Sequence, residues 1–235
     1  MTITKRYLMK LNNLIRNLLF SRKWFINFIF NVKVTAPPEI QSYCEWGTIF
    51  QKILLKKYNK SSSKILEVGT GAHALLAIYA KKHAKDITVL ATDILFERIK
   101  YAQENAIKNN CEIDFKVTDM FNGIKNKFDL ILFNPPAIPS SELKKLGFEL
   151  KTYNGLGSRL CWSGDGGEDG LDSIRSFLNN LAEHLLEHGK AILTVNPMHC
   201  SYEQINQISQ KNDLKIIKTH SFFSIINAFI IEIKK

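Results

Sequence analysis

At 235 residues, with 45% hydrophobic and 23% charged positions, the chain can build one sizeable globular core with room for a small appendage. No apolar run reaches the roughly 18–20 residues of a membrane span, and Cys44, Cys111, Cys161 and Cys200 are scattered without a C-x-x-C pair, which reads as reduced thiols in a cytoplasmic protein rather than a disulfide or zinc framework. The net charge of +10 is lopsided: Lys5, Arg6, Lys10, Arg16, Arg22, Lys23 and Lys33 precede the first acid, Glu39, and the remainder carries 25 cations against 22 acids.

The basic leader points to a polyanionic partner, most simply RNA or a ribosome-associated substrate gripped through residues 1–33. Within residues 1–32, Leu8, Leu11, Leu14, Ile15, Leu18 and Leu19 recur at spacings of three and four, an amphipathic helix pattern that Trp24, Phe25, Phe28 and Phe30 extend. Such a segment packs on the main domain, grips RNA as an arm, or lies on a membrane surface; the first fits best, and the first two are compatible. Pro37-Pro38 breaks the chain, and Glu39–Lys57 predicts a second helix. Residues 1–60 therefore read as a short basic helical extension, and residues 61–235 as the main domain.

From Lys64 onward strands and helices alternate. The pattern predicts strands at Lys64–Val68, Ile87–Thr92, Glu112–Val117, Phe128–Phe133 and Lys190–Val195, and helices at Ala74–Ala84, Leu95–Asn109, Leu171–Glu187 and Tyr202–Lys211. A polar, glycine-rich insertion spans Pro139–Gly170. Leu214–Phe222 and Ile225–Ile233 sit almost end to end and predict an antiparallel hairpin. The fold class is α/β: a Rossmann-like, seven-stranded, mostly parallel sheet with a C-terminal antiparallel hairpin and helices on both faces.

The first strand runs into Glu67-Val68-Gly69-Thr70-Gly71-Ala72-His73-Ala74, where glycines permit a tight turn and a close ligand at a helix N-terminus. Gly69-x-Gly71-x-x-Ala74 also fits a dinucleotide turn with Asp93 as the ribose acid, so an NAD-dependent oxidoreductase competes. Glu67 weighs against it, because a carboxylate beside phosphates repels them. S-adenosylmethionine carries no phosphate and presents an ammonium and a sulfonium. The candidate cofactor residues are Glu67, Gly69, Thr70, Gly71, Asp93 for the ribose hydroxyls, Asp119 for an adenine amine, Met120 or Phe121 against the ring, and Asn134. For each single Asp, capping the next helix is the plainer reading.

Asn134-Pro135-Pro136-Ala137 ends the fourth strand, since two prolines lack the N–H a ladder needs. In an open parallel sheet the C-terminal edge of the strands is where ligands bind. The Asn134 side-chain oxygen beside the Pro135 carbonyl makes a pair of acceptors for a planar –NH2 group, with Pro136 stiffening the turn. Asn134, Pro135 and Pro136 are the candidate catalytic residues; the plainer reading is an Asn that braces its own loop.

With both ends in hand, residues 64 to about 200 resemble a class I S-adenosylmethionine-dependent methyltransferase of the HemK type, the branch that carries an N-P-P motif and methylates amide or exocyclic amine nitrogen. Gly166-Gly167-Glu168-Asp169-Gly170-Leu171-Asp172-Ser173-Ile174-Arg175 is similar to the G-G-x-D-G-L-D-x-x-R run of those enzymes. Read physically, that run is a loop that starts a helix, with Asp172 or Asp169 as N-cap and Arg175 as a surface or loop-bracing cation. The chain departs from the family at His73, in place of a third glycine and tolerated if it turns outward. Ala137 replaces the aromatic after N-P-P, leaving Phe133, Tyr153 or Trp162 to stack on the substrate. The leader is also shorter than the N-terminal domain of release-factor enzymes. The resemblance implies an N-methyltransferase, with an RNA adenine-N6-type amine as the expected acceptor. A translation-factor glutamine is the alternative, and an inactive RNA-binding relative stands outside the enzyme class.

Overall fold

Apolar side chains alternate between the two faces of β1 (Lys64–Val68) and β4 (Phe128–Phe133), and that period of two builds two cores. Ile65, Leu130 and Leu132 enter one, with Ile192; Leu66, Val68, Ile131 and Phe133 enter the other. The computed structural model describes residues 18–35, 44–59, 63–145, 164–197, 199–221 and 229–235.

The chain runs through α1 (Lys23–Phe30), α2 (Trp46–Tyr58), β1, α3 (Leu75–His83), β2 (Thr88–Asp93), α4 (Phe96–Lys108), β3 (Asp114–Val117), β4, α5 (Ser140–Lys145), α6 (Asp172–His184), β5 (Leu185–Val195), α7 (Tyr202–Gln210), β6 (Lys215–Ser221) and β7 (Phe229–Lys234). The sheet order is β3-β2-β1-β4-β5-β7-β6. All neighbours are parallel except β7, which runs antiparallel to β5 and to β6, so the expected hairpin is present with β7 inserted between the two. The first core lies under α1, α2, α3 and α4; α6 and α7 cover the second.

The predicted helix Leu171–Glu187 ends three residues early. His184 is pinned at its C-terminus by contacts with the Asn180 and Ile124 carbonyls at 2.8 and 2.9 Å, and Leu185 then pairs with Phe128 to open β5. In the leader, Leu18–Phe20 is helical, the chain turns at Ser21, and α1 follows. Ile26 and Phe30 of α1 are fully buried, Phe20 meets Trp46 edge-on at 4.9 Å, and Phe30 meets Tyr79 at 6.5 Å. This stretch packs onto α2 and α3. Residues 1–17 and Pro37-Pro38, on which the rest of the leader reading rests, lie outside the described residues. Cys44, Cys111 and Cys200 are buried, whereas Cys161 lies outside the described set. Among the described residues no helix is long and apolar enough to cross a membrane.

Candidate active site

Val68 of β1 pairs with Phe133 of β4, so the glycine turn and the proline turn leave the sheet side by side at its C-terminal edge. The alternation of β1 and β4 puts Glu67 and Asn134 on the face covered by α2 and α3. Gly69 and Gly71 both adopt φ +66°, and a Cβ added to Gly71 would meet nothing within 4 Å. The space above the turn is therefore open, and a side chain there would intrude on it.

The turn is tied down by its own groups. Glu67 Oε2 accepts from the Thr70 hydroxyl at 2.7 Å and from the Ala77 N–H at 2.9 Å, inside the first turn of α3. Ala74, the N-cap of α3, has no capping side chain, and Glu67 supplies the cap from the neighbouring strand. Burial is the main reason its carboxyl is pushed up to about 7; the bonds from Thr70 and Ala77 pull it back, and Asp93 adds repulsion. Asp93, also buried, accepts from the Gly71 N–H through Oδ2 and from the Leu95 N–H through Oδ1, both at 3.0 Å. Asn105, fully buried on α4, donates to the Ala72 carbonyl at 2.9 Å. The carboxylate of Glu67 occupies the helix N-terminus where a dinucleotide would need to place a phosphate, which removes the physical basis of the NAD reading.

His73 is buried rather than turned outward, and burial lowers its imidazole to about 4, with the nearby Arg98 contributing. The left-handed residue falls one position later, at Ala74 with φ +48°, so position 73 needs no glycine. Asp119 is exposed and Met120 half-buried with φ +47° at the end of β3. Phe121 is not available to a ligand: its ring stacks between Phe177 at 5.5 Å and His184 at 4.3 Å in the core. Ile94 and Val117, which pattern reading missed, leave apolar surface exposed at the ends of β2 and β3, 37% and 43% respectively. The signal was an apolar residue on either flank of strand-ending acids. An open glycine hollow, a buried carboxylate beside it and an apolar rim with Asp119 fit the methionine, ribose and adenine parts of S-adenosylmethionine.

At the substrate turn, Asn134, Pro135 and Pro136 are half-buried. The Asn134 side chain makes no hydrogen bond among the described residues, which removes the self-bracing reading. Its Oδ1 lies against Gly47 of α2, where an added Cβ would be only 2.8 Å away. Behind the turn, Gln51 of α2 donates to the Phe133 carbonyl at 2.7 Å. Neither Gly47 nor Gln51 was singled out from sequence, although a lone amide in the stripe Phe50, Gln51, Leu54, Leu55 was a detectable signal.

The glycine–aspartate run closes the other side. Ile138 N–H donates to the Gly164 carbonyl and Gly166 N–H to the Ile138 carbonyl, both at 2.9 Å, and Ser140 N–H to the Gly167 carbonyl at 2.8 Å. Gly170, with φ +81°, approaches so closely that a Cβ would stand 2.8 Å from the Ala137 carbonyl oxygen. The N-cap of α6 is Leu171, not Asp169 or Asp172; Asp169 instead bends back to accept the Leu171 N–H, while Arg175 bridges Asp169 and Asp172 and braces the loop. Ala137 is buried in the second core, and Phe133, 2% exposed, tilts onto Phe177 at 4.8 Å, so neither offers a stacking face. Tyr153 and Trp162 lie outside the described residues.

Residues 46–146 match the model of the methyltransferase small domain family. Over 177 residues the chain is 33% identical to a Methanocaldococcus jannaschii protein assigned by name to the protein N5-glutamine methyltransferases, covering 75% of this chain and 82% of that one. The chain belongs to the HemK-type S-adenosylmethionine-dependent methyltransferases. A release factor glutamine methyltransferase of Thermodesulfovibrio yellowstonii is 29% identical over 201 residues, 81% of this methyltransferase and 68% of the relative. A methyltransferase from Pyrococcus furiosus shares the fold with a TM-score of 0.63 at 21% identity, spanning 94% of this chain and 96% of its own. The cofactor of the enzyme is therefore S-adenosylmethionine, and the expectation of a methyltransferase with a Rossmann-like sheet holds.

Proposed function

We propose that this methyltransferase modifies the side-chain amide nitrogen of a glutamine in a protein of the translation apparatus. The observation that carries the reading is the Asn134 amide, without a hydrogen bond among the described residues, one strand from the open space at the glycine turn and on the same face as Glu67. The names of its relatives favour a glutamine over the RNA amine expected from the basic leader. Buried thiols at Cys44, Cys111 and Cys200 fit a cytoplasmic setting.

S-adenosylmethionine, when bound, supplies an activated methyl group on a sulfonium. Gly69, Thr70 and Gly71 would hold its methionine part under the negative influence of Glu67, Asp93 would face the ribose, and Asp119 with Met120, Ile94 and Val117 would enclose the adenine. Asn134 Oδ1 and the Pro135 carbonyl each accept one N–H of the planar amide and aim its nitrogen at the hollow. Those bonds strengthen as the nitrogen gains positive charge, so they favour the transition state over the bound substrate, and one N–H proton passes to water once the C–N bond has formed. Pro136 keeps the turn rigid, and positioning of this kind supplies up to about 7–11 kcal/mol in well-oriented systems.

The reading is tested by incubating the enzyme with methyl-tritiated S-adenosylmethionine and either a purified release factor or total RNA. Label is expected in the release factor, on a glutamine after acid-free digestion. Label confined to RNA would overturn the glutamine assignment and restore the amine one.

A further inference from the structure

Gln51 stands 1% exposed in the apolar stripe of α2, and the proposed chemistry leaves it unused. Its Nε2 donates to the Phe133 carbonyl at 2.7 Å and to the Thr194 hydroxyl oxygen at 2.9 Å, with the Ile192 carbonyl at 3.3 Å. Its Oε1 is buried without a hydrogen-bond partner among the described residues. A leucine or methionine would bury no such oxygen but would take this donor from the Phe133 carbonyl, so apolar adhesion alone does not account for an amide here.

The position of the accepted oxygen does. The ladder stops where Pro135 and Pro136 offer no N–H, and Phe133 O belongs to the last peptide group before Asn134. A peptide unit is planar, so fixing that oxygen also fixes the Asn134 N–H and Cα in the same plane. One turn earlier on α2, Gly47 leaves the space into which Asn134 Oδ1 fits, and Thr194, the second acceptor of Gln51, packs on the same glycine.

We infer that Gln51 is a positioning residue for methyl transfer: its amide, reaching from α2, locks the Phe133–Asn134 peptide plane and thereby aims the Asn134 side chain. The inference rests on the reading of Asn134 as the group that holds the acceptor nitrogen. It couples the catalytic turn to α2, far away in sequence, and makes that helix part of the working enzyme.

The test compares Gln51→Met, Gln51→Glu and Asn134→Ala with wild type, using methyl-tritiated S-adenosylmethionine and a purified release factor. Gln51→Met is expected to lower kcat at least tenfold, with KM and the S-adenosylmethionine Kd within twofold and Tm lowered by no more than a few degrees. Gln51→Glu lacks a donor when ionised and has one when protonated, so its kcat relative to wild type is expected to climb as pH falls; this profile decides the matter if Gln51→Met does not fold. Unchanged kcat in Gln51→Met, or a loss of kcat that only follows a lowered Tm and weaker cofactor binding, overturns the inference. If Asn134→Ala abolishes turnover while both Gln51 variants behave as wild type, only this inference falls. If Asn134→Ala itself turns over normally, the reading of the site falls with it.

Discussion

The two turns at the sheet edge are held rigid in opposite ways. The glycine turn is held by near neighbours: Glu67 and Asp93, from the strands beside it, and Asn105 of α4 bond the turn and the helices that follow, within 33 residues of chain. The proline turn has almost nothing of its own to bond with. It is braced by Gln51 from 82 residues upstream and by the Gly164–Gly170 loop from downstream, and its Asn134 amide makes no hydrogen bond among the described residues. A cofactor site can spend its polar groups on itself because backbone N–H groups and an open hollow remain to bind with. On the proposed reading the proline turn grips a transient amide and must keep its acceptors free, so its rigidity comes from elsewhere in the chain.

That contrast can be broken from either side. The largest loss is expected from Asp93→Ala, which strands the Gly71 and Leu95 N–H groups together. Bonds to a buried carboxylate contribute about 1.5–3 kcal/mol each; urea melts are expected to show a loss of at least about 3 kcal/mol, with S-adenosylmethionine binding by calorimetry abolished. Gly170→Ala attacks the other turn. The left-handed φ alone costs an alanine about 1–2 kcal/mol, and the contact with the Ala137 carbonyl adds to it. Turnover is expected to fall more than tenfold while cofactor affinity stays within threefold, separating the brace from the cradle.

A smaller, pH-dependent effect sharpens the account of Glu67. Its carboxyl lies at about 7 in the fold against 4.5 ordinarily, because of burial. Between those values the folded protein binds more protons than the unfolded chain, so ionising Glu67 withdraws stability as pH rises through that window. His73, lowered to about 4 from 6.5, works in the opposite sense: it withdraws stability as pH falls from about 6.5 to 4. Wild-type stability is expected to be flat over the overlap. Glu67→Gln removes one of the two, and its stability relative to wild type is expected to grow by up to about 3 kcal/mol from pH 4.5 to 7. A constant difference across that range in urea melts would mean that the carboxylate is not buried as described.

Much of the fold was legible because it depends on local rules. Alternation in Phe128–Phe133, the glycines at 69 and 71 and the prolines at 135 and 136 each impose a conformation on their own neighbourhood. What escaped was contact across long separations. Nothing local shows that Ile138 zips to Gly164–Gly166, that Phe121 and Phe133 turn into the core onto Phe177, or that His73 folds inward because Ala74 takes the left-handed bend instead. The basic leader packs as its apolar spacing predicted: the part that can be placed buries Phe20, Ile26 and Phe30 against α2 and α3, whereas charge alone carries no local rule that names a partner.

The most direct test measures kcat and the S-adenosylmethionine Kd on the same preparation of Asn134→Ala. An acceptor that works chiefly in the transition state is worth about 10²–10³ in rate. Turnover is therefore expected to fall by at least about a hundredfold, with Kd within twofold of wild type. Near-normal turnover with a collapsed Kd would place Asn134 in the cofactor cradle and contradict the account.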